Sequence, residues 1–372
     1  MTQSNIKWVP LSEFIEPFKK KCGDSDAKVS GVDINKQFID TRAVMDGIDV
    51  SKYYLVPPKH FACNLMHIGR DERLPIAYNS SDDNLVVTSA YYVFCIKESK
   101  REEILDEFLY IFFNSKEIDR LTWFYTDSSV RGNLKESRFL DILVPIPSID
   151  SQKRIVETWK RLRLVKEQND AIAEPLFQLC QSYIQELWKT FPRQEIGAYI
   201  TRLDRRNSDN RVRVVKSVSV KKEFNDTNAK VDKNNLASYK VVEDGQISFV
   251  QTTGNEKCLC AAVNHFGYPI VVTSVNEVFE TNTDYLLADY LHIVFRRSET
   301  DRYARFNSWG SARETFSWDD MKRFSIPIPP ISKQQAIVDL YTCANESKRI
   351  AEEADKLSRE ICPALIQKVI HE

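Results

Sequence analysis

The sequence predicts an α+β chain in which two similar domains alternate with two long helices that pair as an antiparallel coiled coil. Three observations lead there. The chain repeats itself at an offset of 182–186 residues. Each copy holds short alternating apolar runs. Each ends on a long stretch with an apolar seam.

The repeat appears when the chain is shifted on itself. At 186 residues, "VSGVDINKQFIDTRA" from Val29 falls on "VKSVSVKKEFNDTNA" from Val215, with seven of fifteen positions identical, Lys36, Phe38, Asp40 and Thr41 among them. At 185, "LVVTS" from Leu85 meets "IVVTS" from Ile270, and Gly69 meets Gly254. At 182, Asp119-Arg120 meets Asp301-Arg302, Arg131 meets Arg313, and "VPIPSIDSQKRIV" from Val144 meets "IPIPPISKQQAIV" from Ile326. So small a drift across the whole unit marks a duplication.

The elements follow in order. Residues 1–148 and 191–330 form the globular parts, where runs such as "LVVTSAYYVFCI" and "VRVVKSVSV" read as strands. A helical stretch near the end of each, "REEILDEFLYIFFNS" and "TDYLLADYLHIVFRR", makes them α+β. Residues 149–190 and 331–372 are the long helices. In the first, Ile155, Trp159, Leu162, Lys166, Asn169, Ala173, Leu176, Cys180, Tyr183 and Leu187 alternate at steps of four and three. In the second, Leu340, Cys343, Ser347, Ile350, Ala354, Leu357, Ile361 and Ala364 make the seam. Pro175 and Pro363 are expected to kink or interrupt these helices. A helix of roughly 35 residues spans about 50 Å, so the pair is expected to act as a rigid spacer between two heads. Each Pro-Ile-Pro marks the way out of a head, because alternating prolines hold the chain extended.

Composition narrows the function. There is no run of eighteen apolar residues and no signal-like start, so a cytoplasmic protein is expected. Eight cysteines without paired C-x-x-C spacing read as buried free thiols. Net charge of −1 excludes a chain that is basic all over, but a local stripe can still meet phosphates. Ten glycines, against roughly twenty-six at average usage, leave no G-x-G-x-x-G or Walker A loop. The five histidines form no H-E-x-x-H, and no G-x-S-x-G elbow or Asn/Asp-Pro-Pro-aromatic motif occurs. No catalytic residue, cofactor site or metal site is expected in this chain.

DNA readout needs guanidinium, amide and hydroxyl groups at base edges and cations on phosphates. Three regions supply them. "HIGRDER" offers Arg70 and Arg73, and its repeat partner "TTGNEKC" offers Thr253, Asn255 and Lys257. "SSVRGNL" offers Arg131 and Asn133, and "GSARETF" offers Ser311 and Arg313. "RLDRRNSDNRVR" offers Arg205, Arg206, Arg211 and Arg213, against Lys19, Lys20 and Lys21 in the first head.

The order head, helix, head, helix, with the doubled "IPIPP-I-x-x-Q-x-x-I-V" exit, resembles the specificity subunits of type I restriction-modification systems over essentially the whole chain. Of that family's usual Glu-Gln pair only the glutamine is kept, in Ser151-Gln152 and Lys333-Gln334. The resemblance implies two target-recognition domains, each reading half of a split double-stranded DNA site. It also implies helices that dock two adenine-N6 methyltransferase subunits, the complex taking up a restriction/translocase subunit as well. S-adenosylmethionine, ATP and Mg would then belong to partner subunits. Among the seam residues, Ile155, Trp159, Leu162, Leu176, Tyr183, Leu187, Leu340, Ile350, Leu357 and Ile361 are the candidates for the coiled coil and for subunit docking. The alternative reading is a tandem scaffold whose heads bind protein and whose helices dimerise.

Overall fold

The computed structural model describes residues 6–23, 28–41, 49–66, 68–127, 132–227, 230–232, 234–252, 258–310 and 314–371, without the side chains of Arg70 and His371. The chain forms two compact units, Met1–Asn169 with Arg349–Glu372, and Asp170–Lys348. The helices that matter below are α1 (Asp106–Phe113), α2 (Lys116–Phe124), α3 (Ile149–Thr190), α4 (Ala288–Phe295), α5 (Ser298–Phe306) and α6 (Ile331–His371).

Both units are built on the same sheet. In the first, strands Ile15–Pro17, Tyr92–Ile96, Phe61–Cys63 and Ile76–Tyr78 lie side by side in that order, all antiparallel. In the second, Ile200–Leu203, Asn276–Thr281, Ile247–Val250 and Ala261–Val263 repeat the order. The register repeats too: Phe61 opposes Phe94 and Tyr78, and Ile247 opposes Phe279 and Val263. α1 and α4 cover the sheets with fully apolar faces, Phe108, Leu109 and Phe113 in one unit and Leu291, Val294 and Phe295 in the other.

A second sheet differs between them. In the first unit Phe38–Asp40, Lys28–Val32, Leu85–Val87 and Tyr54–Val56 form four continuous strands. In the second, the same order is two separate pairs linked by a single parallel bridge, Val215 to Val271.

The repeated exit motif closes each head. Leu143–Ile146 pairs antiparallel with Lys7–Pro10, and Ser325–Pro327 with Arg193–Glu195. The last strand of a head is thus stitched to its first, and the prolines, which cannot donate to a ladder, sit in two-stranded edges. The motif's glutamine then fixes the long helix to its head. Gln152 donates to the Glu103 and Pro147 carbonyls at 2.8 and 3.0 Å and accepts from the Leu105 amide at 3.0 Å. Gln334 does the same to Tyr285, Pro329 and Leu287 at 2.7, 2.8 and 2.9 Å. Both are fully buried, so each bond satisfies a group that water cannot reach.

Within the first unit, Ile155, Val156, Trp159 and Leu162 of α3 share a core with Cys362, Leu365, Ile366 and Val369 of α6. Within the second, Ile184 and Leu187 of α3 meet Ile337 and Val338 of α6, and the Phe177 and Tyr341 rings lie 5.5 Å apart. The first part of each long helix therefore shares a unit with the last part of the other, which is antiparallel pairing. Two expectations need correction. Neither helix is interrupted: Pro175 and Pro363 lie inside continuous helix. The α6 seam is also rotated by one residue over most of its length, Ala354 alone of the expected residues being buried. Ala344, Ala351, Ser358 and Cys362 are buried, while Cys343 and Ile361 beside them are exposed and Leu340, Ile350 and Leu357 only half-buried. Close helix approach selects small side chains, so the larger apolar residues flank the contact. On α3 the contact shifts in the same sense only near its end, from half-buried Tyr183 to buried Ile184, while Leu176 stays half-buried. Cys343 also departs from the expectation that all the thiols are buried, and Cys258 and Cys260 are half-buried; all eight are free.

Candidate nucleic-acid interface

The two polar loops nominated in each head come together in space. In the first unit, the Gly69 amide donates to the Gly132 carbonyl at 3.0 Å, and the Leu134 amide to the Leu65 carbonyl at 2.8 Å. Gly132 has φ of +59°, and a Cβ there would lie 2.3 Å from the Gly69 Cα. Only glycine permits so close a backbone approach. In the second unit, Thr252 bridges to Thr315, and the Phe316 amide donates to the Gln251 carbonyl at 2.8 Å. The joined residues lie 63 to 69 positions apart in the chain, yet each head joins its pair at the same place.

A buried ionic node holds the loops to the helix beside them. Lys36 and Lys222 sit in left-handed turns, at φ of 64° and 61°. The Lys36 ammonium donates to Asp119 Oδ1 at 2.6 Å, and the same oxygen accepts the Leu74 amide at 3.0 Å. Lys222 and Asp301 repeat this at 2.7 Å, with the Leu259 amide at 3.0 Å. Leu74 and Leu259 directly follow the first nominated loop of each head, so the node anchors its end. Burial holds the Lys36 pKa below its ordinary value, opposed by the Asp119 charge. The turn itself is held by Tyr110, whose hydroxyl donates to the Lys36 carbonyl at 2.7 Å. In the second unit His292 Nε2 meets the Lys222 carbonyl at 2.8 Å, which requires the tautomer protonated there. Burial pushes the His292 pKa down to about 4. Tyr110 and His292 stand at equivalent positions of the repeat, 182 residues apart. Their shared task is one hydrogen bond, which two unlike side chains can make.

The nominated residues fare differently. Arg73 is exposed and lines a cleft of about 330 Å³ with Glu72, Lys116, Asp119, Arg120 and Trp123. Asn133 is half-buried, its amide bound to Asp127 Oδ1 at 3.0 Å. Lys19, Lys20 and Lys21 are exposed, and Lys21 bridges to Tyr54. Arg205 pairs with Glu243, Arg206 with Asp204 at 2.8 Å and Arg211 with Asp209 at 3.2 Å, so these three are tied to their own head. Arg213 is exposed and makes no ion pair among the described residues. Arg131, Thr253, Asn255, Lys257, Ser311 and Arg313 lie outside the described residues, as does the Arg70 side chain.

One cluster near the second site was not anticipated. Buried Glu277 takes Arg202 through two bonds of 2.8 and 2.6 Å, Gln251 at 2.7 Å and Lys240 at 3.4 Å. Gln251 starts the loop that carries Thr253 to Lys257. Strand periodicity alone could not predict that these four residues converge.

Among the described residues, no group of three or more His, Cys, Asp or Glu side chains could hold a metal ion, and no helix is long and apolar enough to cross a membrane.

No protein-family model matches the chain, and no curated protein matches it. Solved structures do. The S subunit of a type I restriction-modification system from M. genitalium superposes with a TM-score of 0.65 at 12% identity, over 99% of this chain and 97% of that one. The HsdS subunit from Thermoanaerobacter tengcongensis gives 0.40 at 14% identity, over 100% and 99%. A structure described as the complex assembly and conformational transition of the type I R-M system gives 0.44 at 13%, over 99% and 98%. On the first of these, the chain has the fold of a type I restriction-modification S subunit along its whole length.

Proposed function

We propose that this chain is the DNA-reading specificity subunit of a type I restriction-modification complex. The observation that carries the proposal is the convergence, once in each head of an S-subunit fold, of two loops nominated for base reading. Each head is a target-recognition domain for one half of a split double-stranded site. The chain does no chemistry. Methyl transfer to adenine N6 belongs to two methyltransferase subunits docked on the helices, with their S-adenosylmethionine. ATP and Mg serve a restriction/translocase subunit, and the complex works in the cytoplasm.

Binding of the complex to DNA tests this. Linked heads gain from effective concentration, so a split site should bind far better than either half alone, and affinity should fall with salt. Arg131→Ala in one head and Arg313→Ala in the other sharpen the result. A phosphate contact is lost uniformly across sequences, whereas a base contact relaxes one position at a cost of about 1–3 kcal/mol. Equal affinity for a half-site and the full site would overturn the two-headed reading. The scaffold alternative predicts no sequence-specific binding at all.

A further inference from the structure

Helices α2 and α5 are nine residues each, KEIDRLTWF and SETDRYARF, and they share four positions: Glu117/Glu299, Asp119/Asp301, Arg120/Arg302 and Phe124/Phe306. The fold accounts for the aspartates, which hold the buried lysines. It does not account for the phenylalanines. Phe306 and Phe124 are the two most exposed large apolar residues in the described chain, at 87% and 76%. Each helix buries Ile118 and Thr122, or Thr300 and Ala304, against its head. At about 100° per residue, from 3.6 residues per turn, Arg120 with Phe124 and Arg302 with Phe306 point to the opposite side. Phe124 meets only the neighbouring Tyr125 ring among the aromatic contacts, at 5.9 Å. No packing requirement explains why both copies keep an aromatic there.

Their setting indicates what covers them. Each phenylalanine ends the helix that runs into the arginine-bearing loop of its head. One turn earlier on the same face stands an exposed arginine, held only by a surface pair with Glu117 at 2.8 Å or Glu299 at 3.7 Å. Pairs of this kind are worth little and yield to a phosphate. Beside Arg120, the cleft lined by Arg73 and Lys116 adds two more cations. Near Phe306 stand Arg305 and exposed Trp309. A protein interface has a contiguous apolar centre with charge kept to its rim. Rings interspersed with cations, Phe124 and Trp123 beside Arg120 and Phe306 and Trp309 beside Arg302 and Arg305, instead suit DNA, where apolar sugar and base surface lies between phosphates.

We propose that Phe124 and Phe306 are the apolar DNA contacts of the two heads, each seated against the base stack of its half-site with Arg120 or Arg302 on an adjacent phosphate. This rests on the DNA-reading function above and assigns it a pair of residues that base-edge chemistry does not nominate.

The test uses the full chain with its methyltransferase subunits and a duplex recovered by selection from a randomised library. Wild-type protein that selects no sequence would refute the underlying function rather than this assignment. Given specific binding, Phe124→Ala and Phe306→Ala should each weaken it by about tenfold or more, the scale of losing an aromatic–base contact. The slope of affinity against salt should stay unchanged, because no phosphate contact is lost. Arg120→Ala and Arg302→Ala should instead lower that slope by about one. Phe124→Leu and Phe306→Leu should keep most of the affinity, and 2-aminopurine placed in the matching half-site should lose its binding-induced signal only in the alanine variants. Alanine variants that bind DNA as wild type does would overturn the proposal. So would loss of methyltransferase co-purification with DNA affinity intact, which would make the rings a protein contact. Because both side chains are largely in solvent, the variants should fold normally, as a melting curve checks.

Discussion

The two units keep the same framework and fill it differently. Both have the buried lysine–aspartate node, the glutamine lock and the paired loops. Around the turn that carries the buried lysine they diverge. The first unit leaves a cavity of about 790 Å³, with Tyr110, Trp159 and Arg163 among its walls. The second has Arg296 at 2.7 Å from Glu223 and over the Tyr341 ring, while Phe266 stacks on Tyr268. What is held twice is the part that positions the loops. What varies lies around that frame and in the loop residues themselves.

The largest effect should come from breaking the node. Asp119→Ala and Asp301→Ala each strand a buried ammonium, at a cost of about 3–5 kcal/mol. Chemical unfolding followed separately in each unit should give similar losses. A loss in one unit only would mean that the frame is not shared.

Acid should separate the units. His292 has a folded pKa of about 4 against 6.5 for the free side chain. Between these values the unfolded chain binds a proton that the folded chain excludes. Stability is therefore fully present above about 6.5 and is lost as pH falls toward about 4, by up to about 3 kcal/mol at ~1.4 kcal/mol per pKa unit. His292→Tyr, which installs the first unit's residue, should remove that slope. His60 in the first unit is shifted down by its own burial, so the comparison is made against the variant rather than between units. An unchanged acid slope in His292→Tyr would reject this origin.

The locks come next. Gln152→Ala and Gln334→Ala each leave buried backbone groups unpaired, for about 1–3 kcal/mol, and amide exchange should rise at Leu105 or Leu287. The smallest effect tests the seam. Ile361→Ala should cost under about 0.5 kcal/mol because the side chain is 41% exposed. Ala351→Leu, one step around the helix, should cost about 1–3 kcal/mol through overpacking in a helical contact. The reverse ranking would restore the register read from the larger apolar residues.

The duplication, the α+β character, the two long helices and the exit motif were legible in the sequence, because periodicity and identity at a fixed offset are one-dimensional signals. The glutamines were visible as part of the motif, but their three-bond lock was not, since two of the three partners of each lie 47 and 49 residues away. The loops were nominated from their polar residues and shared glycine. That they touch rests on a close approach between Gly69 and Gly132, which no local pattern encodes. Composition likewise suggested Arg205, Arg206, Arg211 and Arg213 as DNA contacts, whereas the fold ties the first three to carboxylates of their own head. Sequence by itself determined which elements exist and that they exist twice. Tertiary structure alone decided which charges are neutralised, which face of α6 is buried and which phenylalanines are left in water. Those outcomes depend on distances between residues far apart in the chain, and such distances are set only when the core packs.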